Sequence, residues 1–262
     1  MGPMKLIEAR TKAHRLTWKA VLGLMGAAVL GGVACTNKDK PTGGSGTAKP
    51  VAEAPAPTGQ AVITGVVTFD GAAPPAEPWA GSSNPECKSL RPETIQLVKV
   101  QDKKLEDAFV YVKEGLPKGS YPAPTESVPF DQKGCEFTPR VFGVMAGQDI
   151  AGANSDKLLH NVKSPEFNQA FPFNTKKAMK LNDAAVMATI KCDVHPWMRA
   201  YAGVMEHPYF AVTKADGSFT IKGLVDGEYT VAVWHEKLGA TEMKVKTSAV
   251  APGKADFTLK WK

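Results

Sequence analysis

The stretch CDVHPWM, residues 192–198, places a thiol, an imidazole and a thioether at intervals of three residues. This spacing lets one tight loop between two β-strands offer Cys192, His195 and Met198 to the same side of an ion. Pro196 stiffens such a loop because its ring fixes φ and removes a backbone donor. The stretch therefore predicts a metal site held by a loop at one end of a β-sandwich.

A further donor, His160, lies 32 residues before Cys192 in the triplet HNV, residues 160–162. Two histidines and one cysteine in a trigonal plane, with a weak axial methionine, are the ligands of a blue-copper centre. Zinc could use the same nitrogen and thiolate atoms, but the methionine would add little to a zinc site. The predicted cofactor is one mononuclear type 1 copper ion. Its predicted ligands are His160, Cys192, His195 and Met198.

Short β-rich runs with Gly and Asp turns fill the chain from residue 61 onward. They lie at residues 63–69, 109–112, 141–144, 217–221 and 229–234. Helix is scarce, and residues 183–188 are expected to form one turn at most. Strands of this length and spacing are typical of β-sandwiches, so we expect an all-β fold.

Residues 128–206 resemble the cupredoxins, nearest to amicyanin and the plastocyanins. The matching motifs are FTP at 137–139, VMAGQ at 144–148, NSD at 154–156, HNV at 160–162 and CDVHPWMR at 192–199. The two-residue gap between His195 and Met198 is that of amicyanin. The resemblance implies a Greek-key β-sandwich over residues 119–206. It also implies that Asn161 braces the ligand loop by hydrogen bonds, with Pro196 as a second supporting residue.

The same resemblance implies a role in electron transfer. In this family the solvent edge of the histidine equivalent to His195 is the electron exit, and apolar residues surround it. Trp197 and Pro196 would then form a docking patch for a redox protein such as a c-type cytochrome. The alternative is that Trp197 packs inward. A second functional hypothesis is a surface binding module that stores, senses or structurally uses copper without shuttling electrons.

The C-terminal part carries a second resemblance. Residues 213–231, TKADGSFTIKGLVDGEYTV, resemble the carboxypeptidase-regulatory, transthyretin-like sandwich. Residues 63–75 resemble the first strand and turn of that family. We therefore predict a nested arrangement, in which residues 61–118 and 207–262 form one sandwich and residues 119–206 are inserted in it. The alternative is one enlarged cupredoxin with β-extensions at both ends.

The N-terminal region predicts export. A basic stretch precedes the apolar residues 20–34, as in a secretory signal peptide. Ala34-Cys35 resembles the lipobox of bacterial lipoproteins, so residues 1–35 would be a signal ending at a lipidated Cys35; the alternative is an ordinary signal peptide. Thr36 after the cysteine favours the outer membrane, facing the periplasm or the cell surface. Residues 36–60, rich in Pro, Gly and Ala, are expected to be a disordered linker.

Charge and histidine content exclude several functions. The net charge is +6, and residues 1–35 contribute +4 of it, so the remainder carries +2. This is not the strong excess of basic residues that is typical of a nucleic-acid-binding protein. Cysteine and methionine fill the predicted copper site, which leaves no open position for a substrate. The five histidines are too few for the further copper sites of multicopper enzymes. We therefore expect a protein that is not an enzyme.

Two groups of residues remain. With Cys35 assigned to lipid and Cys192 to metal, we expect Cys87 and Cys135 to pair in an exported protein, the alternative being that one of them binds metal.

His207 and the pair His235-Glu236 could form a second metal site. The favoured alternative is an aromatic seam between the two domains, because no ligand spacing links them.

Overall fold

A computed structural model describes residues 56–90 and 93–261. The predicted signal peptide, the lipidation site Cys35 and linker residues 36–55 lie outside this part of the chain. Within it, strands make up nearly all of the regular structure, so the all-β prediction with a second sandwich-like module is confirmed. The described helices are all too short to cross a membrane.

Three runs of strands follow one another along the chain. The first run is β1 (Ala61–Phe69), β2 (Glu77–Pro78), β3 (Thr94–Ile95), β4 (Val100–Gln101), β5 (Lys104–Leu105) and β6 (Phe109–Glu114). The second is β7 (Val128–Gln132), β8 (Phe137–Thr138), β9 (Val141–Met145), β10 (Ile150–Asn154), β11 (His160–Lys163), β12 (Asn168–Phe171), β13 (Lys176–Met179), β14 (Ala185–Lys191) and β15 (Arg199–Met205). The third is β16 (Phe210–Val212), β17 (Ser218–Leu224), β18 (Gly227–His235), β19 (Gly239–Thr247), β20 (Gly253–Lys254) and β21 (Phe257–Leu259). Between β2 and β3 lie a 3-10 turn (Ala80–Ser83) and the helix α1 (Pro85–Lys88).

The first and third runs pair with each other in two sheets. One sheet has the order β17-β1-β5-β4, with β20 and β21 parallel to β1, and the other has the order β16-β6-β18-β19. Burial alternates strictly along β1, because successive side chains of a strand point to opposite faces. Ile63, Phe69, Val110 and Tyr229 are among the residues buried between the sheets. We call these two sheets the flanking sheets.

The second run pairs only within itself, in the orders β13-β10-β7-β8 and β12-β11-β14-β15-β9. Phe130, Phe142, Phe171 and Ile190 are among the residues in the core between these sheets. Strand β9 pairs in parallel with β15, and β7 pairs in parallel with β10. We call these two sheets the central sheets, and their loops carry the predicted copper ligands.

The stretch between β2 and β3 departs from the predicted division at residue 118. Trp79 and Cys87 belong in sequence to the first run, yet both are buried in the core cluster of the central sheets. Asn84 caps α1, since its side-chain oxygen accepts from the backbone N–H groups of Glu86 and Cys87. This stretch therefore lies on the central sheets rather than on the flanking ones.

An aromatic seam joins the flanking and central sheets. The ring of Phe109 lies so close to Gly203 that a Cβ there would be 2.1 Å from it, and the ring of Phe210 approaches Gly143 in the same way, at 2.3 Å. Glycine is required at both positions because any side chain would displace the ring. Tyr201 also contacts Trp234. The seam therefore packs the two pairs of sheets directly against each other.

Two local features differ from the sequence-based expectations in detail. At residues 183–188, where one helical turn at most is expected, the structure has no helix and β14 begins at Ala185, with a bulge between Ala185 and Ala188. The linker was expected to reach residue 60, yet Ala56 N donates to Ser120 O at 2.8 Å and Gly59 N to Gly223 O at 3.0 Å. The second bond attaches Gly59 to β17, and the first attaches Ala56 to the segment between β6 and β7, so backbone pairing includes residues before β1.

Candidate metal centre

Strand pairing brings the predicted ligands to one end of the central sheets. His160 is the first residue of β11, and Cys192 directly follows β14. The two strands pair through Lys163 and Lys191, and the loop that follows β14 returns into β15. One histidine is therefore supplied by a strand and the other three donors by the adjoining loop.

The donor atoms converge on one point. His160 Nδ1 lies 2.8 Å from His195 Nδ1, and His195 Nδ1 lies 3.9 Å from Cys192 Sγ. The ligating atoms of these three residues all lie within 4.8 Å of one another. Met198 is 1% exposed and belongs to the same buried cluster as Cys192. Two imidazoles, a thiol and a thioether in a closed, buried site suit a soft metal ion.

A buried carboxylate orients the first histidine. Asp156 Oδ2 lies 3.0 Å from His160 Nε2. A carboxylate in that position accepts a hydrogen bond from Nε2–H, so the lone pair of Nδ1 faces the site. This is the carboxylate–histidine arrangement found behind metal ligands, where the partner fixes the tautomer and the ring orientation. Asp156 was not among the predicted site residues.

Asn161 holds the ligand loop. Its Oδ1 accepts from Asp193 N at 2.6 Å and lies 3.3 Å from Cys192 Sγ. Within the loop, Met198 N donates to His195 O at 2.9 Å, and His195 N lies 3.4 Å from the sulfur of Cys192. The loop therefore keeps its shape through bonds of its own. Pro196, the other predicted supporting residue, is exposed.

The electrostatic environment favours the metal-binding forms of Cys192 and His195, whereas at His160 it favours the protonated ring, which does not bind metal. Burial raises the pKa of the Cys192 thiol, but hydrogen-bond donors, first among them His160, outweigh burial and lower this pKa below its usual value. Burial, and then the charge of His160, lower the pKa of His195. Burial also opposes the charged form of His160, but the bond to Asp156 outweighs it and raises the pKa of His160. Thiolate and neutral imidazole are the ligating forms.

The expected open edge of His195 is absent. This residue is only 4% exposed, because the ring of Trp197 lies 5.1 Å from its ring and the disulfide lies beside it. Cys87 and Cys135 form that disulfide, and their sulfurs lie within 4.8 Å of a ring nitrogen of His195. Trp197 is half-buried and contacts Trp79 edge to face. The resemblance could not indicate this cover, because Trp79 and Cys87 come from a distant part of the chain.

The seam histidines do not join a metal cluster. In the described part of the chain, every cluster of potential metal-ligating atoms includes His160 or His195. Glu236 instead forms a two-bond ion pair with Arg140, at 2.5 and 2.8 Å. His207 Nδ1 accepts from Tyr209 N, and His235 Nδ1 accepts from Lys237 N. These residues occupy the seam between the sheets.

Comparison with known proteins gives no family assignment. No protein-family model matches the chain, and no curated protein matches it either. Solved structures do match in part. A purple cupredoxin from Nitrosopumilus maritimus is 16% identical, covering 30% of this chain and 99% of its own, with a TM-score of 0.27. An oxidised amicyanin variant is 13% identical, covering 36% and 97%, with a TM-score of 0.28. A copper-containing nitrite reductase from Thermus scotoductus is 15% identical, covering 53% and 28%, with a TM-score of 0.29.

Proposed function

We propose that this protein is a type 1 copper protein that carries single electrons between redox partners in the cell envelope. The observation that carries the proposal is the convergence of His160 Nδ1, His195 Nδ1 and Cys192 Sγ in one buried site, with Met198 buried in the same core cluster as Cys192. Copper bound there would supply a one-electron couple between its two common oxidation states. Thiolate and thioether ligands together favour copper over harder ions.

The residues around the site would limit its rearrangement between oxidation states. Asp156 fixes the ring of His160, and Asn161 fixes the start of the ligand loop. The loop bond from Met198 N to His195 O holds the other end. A site whose ligands are already in place needs little reorganisation when an electron arrives or leaves, which suits rapid electron transfer.

The four side chains would fill the coordination of one ion, so the proposed function is electron carriage rather than catalysis on a substrate. The proposed partner is a redox protein such as a c-type cytochrome. Since His195 is covered, the proposed contact includes the exposed Val194 and Pro196 of the ligand loop, with half-buried Trp197 at its margin. We further propose export and anchoring through a lipid on Cys35, in the outer membrane.

Copper storage, sensing or structural use is the second candidate function. The observation that favours it is the burial of every ligand side chain, since none of the four is more than 4% exposed. A covered site holds an ion well but offers a partner no bare ligand edge. Electron exchange with a partner therefore separates the two functions.

The test is reduction and reoxidation of the copper-loaded protein. An electron carrier will lose its intense blue band on addition of a mild reductant, regain it in air or with ferricyanide, and exchange electrons with a c-type cytochrome in stopped-flow mixing. The Cys192→Ser variant will lack the band. A colourless copper-loaded protein would refute the type 1 assignment. A blue protein that does not exchange electrons with small or protein oxidants would favour storage.

A further inference from the structure

The turn between β7 and β8 has an unusual backbone. φ is 66° at Gly134 and 54° at Cys135, and a type I′ hairpin turn needs positive φ at both central residues. Glycine adopts this conformation freely, whereas a side chain there strains the backbone. Lys133 N donates to Glu136 O at 3.0 Å and closes the turn. The contacts of Cys135 must therefore hold it in this conformation.

The backbone N–H groups of this turn reach the first metal-binding histidine. Gly134 N and Cys135 N both donate to the Asp156 carboxylate at 2.7 Å, one to each oxygen. Two successive N–H groups of this kind form a concave anion site. The oxygen that Cys135 binds, Oδ2, also lies 3.0 Å from His160 Nε2. The turn thus orients His160 through Asp156.

The carbonyl group of the same residue reaches the second metal-binding histidine. Trp197 Nε1 donates to Cys135 O at 3.3 Å, and the Trp197 ring lies 5.1 Å from the ring of His195. Trp79 also contacts Trp197 edge to face, with the ring centroids 5.8 Å apart and an interplanar angle of 78°. The turn thus positions His195 through Trp197.

The side chain of Cys135 completes the arrangement. Its disulfide to Cys87 is fully buried and ties the turn to α1. Cys135 therefore makes three connections, one from its N–H to the Asp156–His160 pair, one from its C=O to Trp197 and one from its sulfur to Cys87. Among the described residues, only Cys135 combines these three connections.

We propose that the turn at Gly134 and Cys135 is a shared brace that positions both metal-binding histidines, and that its disulfide to Cys87 holds it in the left-handed conformation. This inference rests on the proposed copper function. Asp156, Trp197 and Cys135 are positioning residues in it, not ligands. Supporting residues of this kind typically change metal affinity 10- to 100-fold when they are lost.

The test compares two variants that both lack the disulfide. Cys87→Ser/Cys135→Asn retains a residue that tolerates positive φ, whereas Cys87→Ser/Cys135→Val introduces a β-branched residue that does not. We expect the Asn pair to retain the copper band of the unmodified protein. We expect the Val pair to bind copper about 10- to 100-fold more weakly, with a shifted band and a shifted reduction potential. Equal affinity, spectrum and potential in the two pairs would overturn the proposal.

A second set of variants keeps the disulfide, in case the Val pair does not fold. Asp156→Asn weakens the connection to His160, and Trp197→Phe removes the N–H that binds Cys135 O while keeping a ring beside His195. Each is expected to shift the band or the potential. Val231→Ala in the core of the flanking sheets is the control for general destabilisation, and its band should not move. If both connection variants match this control, the shared brace does not exist.

A measurement on the metal-free protein separates this inference from the proposed function. The proton on His160 Nε2 is expected to exchange slowly with solvent in the unmodified protein and in the Asn pair, and its NMR signal should broaden or disappear in the Val pair. Identical behaviour in the two pairs would overturn the brace, whatever the copper result. Failure of the unmodified protein to bind copper would instead refute the proposed function.

Discussion

Two regions of this protein bury histidines, and they treat the imidazole nitrogens in opposite ways. At the metal centre, His160 Nδ1 and His195 Nδ1 face each other and the sulfur of Cys192. At the seam, Glu236 is fully engaged by Arg140, and His235 is 1% exposed with Nδ1 already accepting from Lys237 N. A metal site needs several lone pairs aimed at one point. At the seam, the Nδ1 lone pairs of His207 and His235 already accept hydrogen bonds from backbone N–H groups. Burial of histidine alone does not distinguish the two.

The largest expected difference concerns copper affinity. His160→Ala should weaken copper binding by roughly two to three orders of magnitude, because binding free energies of about 10–16 kcal/mol for a structural metal site are shared among four ligands. His235→Ala, the matched change at the seam, should leave the affinity and the stoichiometry unchanged. Competition titration with a chelator of known affinity measures both. A comparable loss in the two variants would erase the distinction between the regions.

Substitutions at the seam should change the free energy of unfolding rather than the copper affinity. Arg140→Ala leaves Glu236 buried without its partner, so the free energy of unfolding should fall by about 3 kcal/mol. Lys113→Ala removes an exposed ion pair with Glu242 and should leave the free energy of unfolding nearly unchanged. Urea unfolding of the copper-free protein gives both values. The blue band of copper-loaded Arg140→Ala should be unchanged, and a shifted band would mean that the seam and the metal centre are coupled.

The pH dependence of stability offers a second contrast. Burial lowers the pKa of His235 from 6.5 to about 4, although the nearby Glu236 and Asp107 oppose this shift and Arg140 adds to it. Between these two values the unfolded chain binds a proton that the folded protein does not. The free energy of unfolding should therefore fall as the pH drops from 6.5 to about 4, by about 3 kcal/mol from this residue.

The control for this pH effect is His235→Gln, which has no titrating ring. Unfolding of the copper-free protein should lose less stability between pH 6.5 and 4 in this variant than in the unmodified protein. Identical pH profiles would show that folding does not lower the pKa of His235, as expected if water reached its ring.

The smallest expected effect lies in the ligand loop. Asn161→Ala removes the acceptor for Asp193 N and should weaken copper binding about tenfold. Lys163 contacts the exposed carboxylate of Asp193 from outside the loop, so Lys163→Ala should leave copper binding nearly unchanged. Equal effects of the two substitutions would mean that the hydrogen bond from Asp193 N to Asn161 Oδ1 does not support the ligand loop.

The sequence indicates the donors of the metal centre much better than their surroundings. Cys192, His195 and Met198 lie within one short stretch, so their spacing is readable without a fold. Asp156 and Cys135 act through contacts that form only when the turn between β7 and β8 meets the loop before β11. No local pattern reports such a contact.

Long-range packing also explains where the details of the fold differ from the sequence-based expectations. Trp79 and Cys87 follow β1 in sequence, so they were assigned to the flanking sandwich, but burial places them on the central sheets. At residues 183–188, pairing with β15 outweighs the weak local tendency of Ala-rich sequence to form helix. The all-β class, in contrast, follows from many short alternating runs, and a few local errors do not alter it.

The most direct measurement is the visible absorption of the purified protein during titration with copper(II). We expect an intense blue band that grows linearly to one copper per chain and then stops, and that is missing from the Cys192→Ser variant under the same conditions. A band that continues to grow beyond one equivalent, a copper-loaded protein without colour, or a Cys192→Ser variant that retains the band would contradict a single type 1 copper site at Cys192.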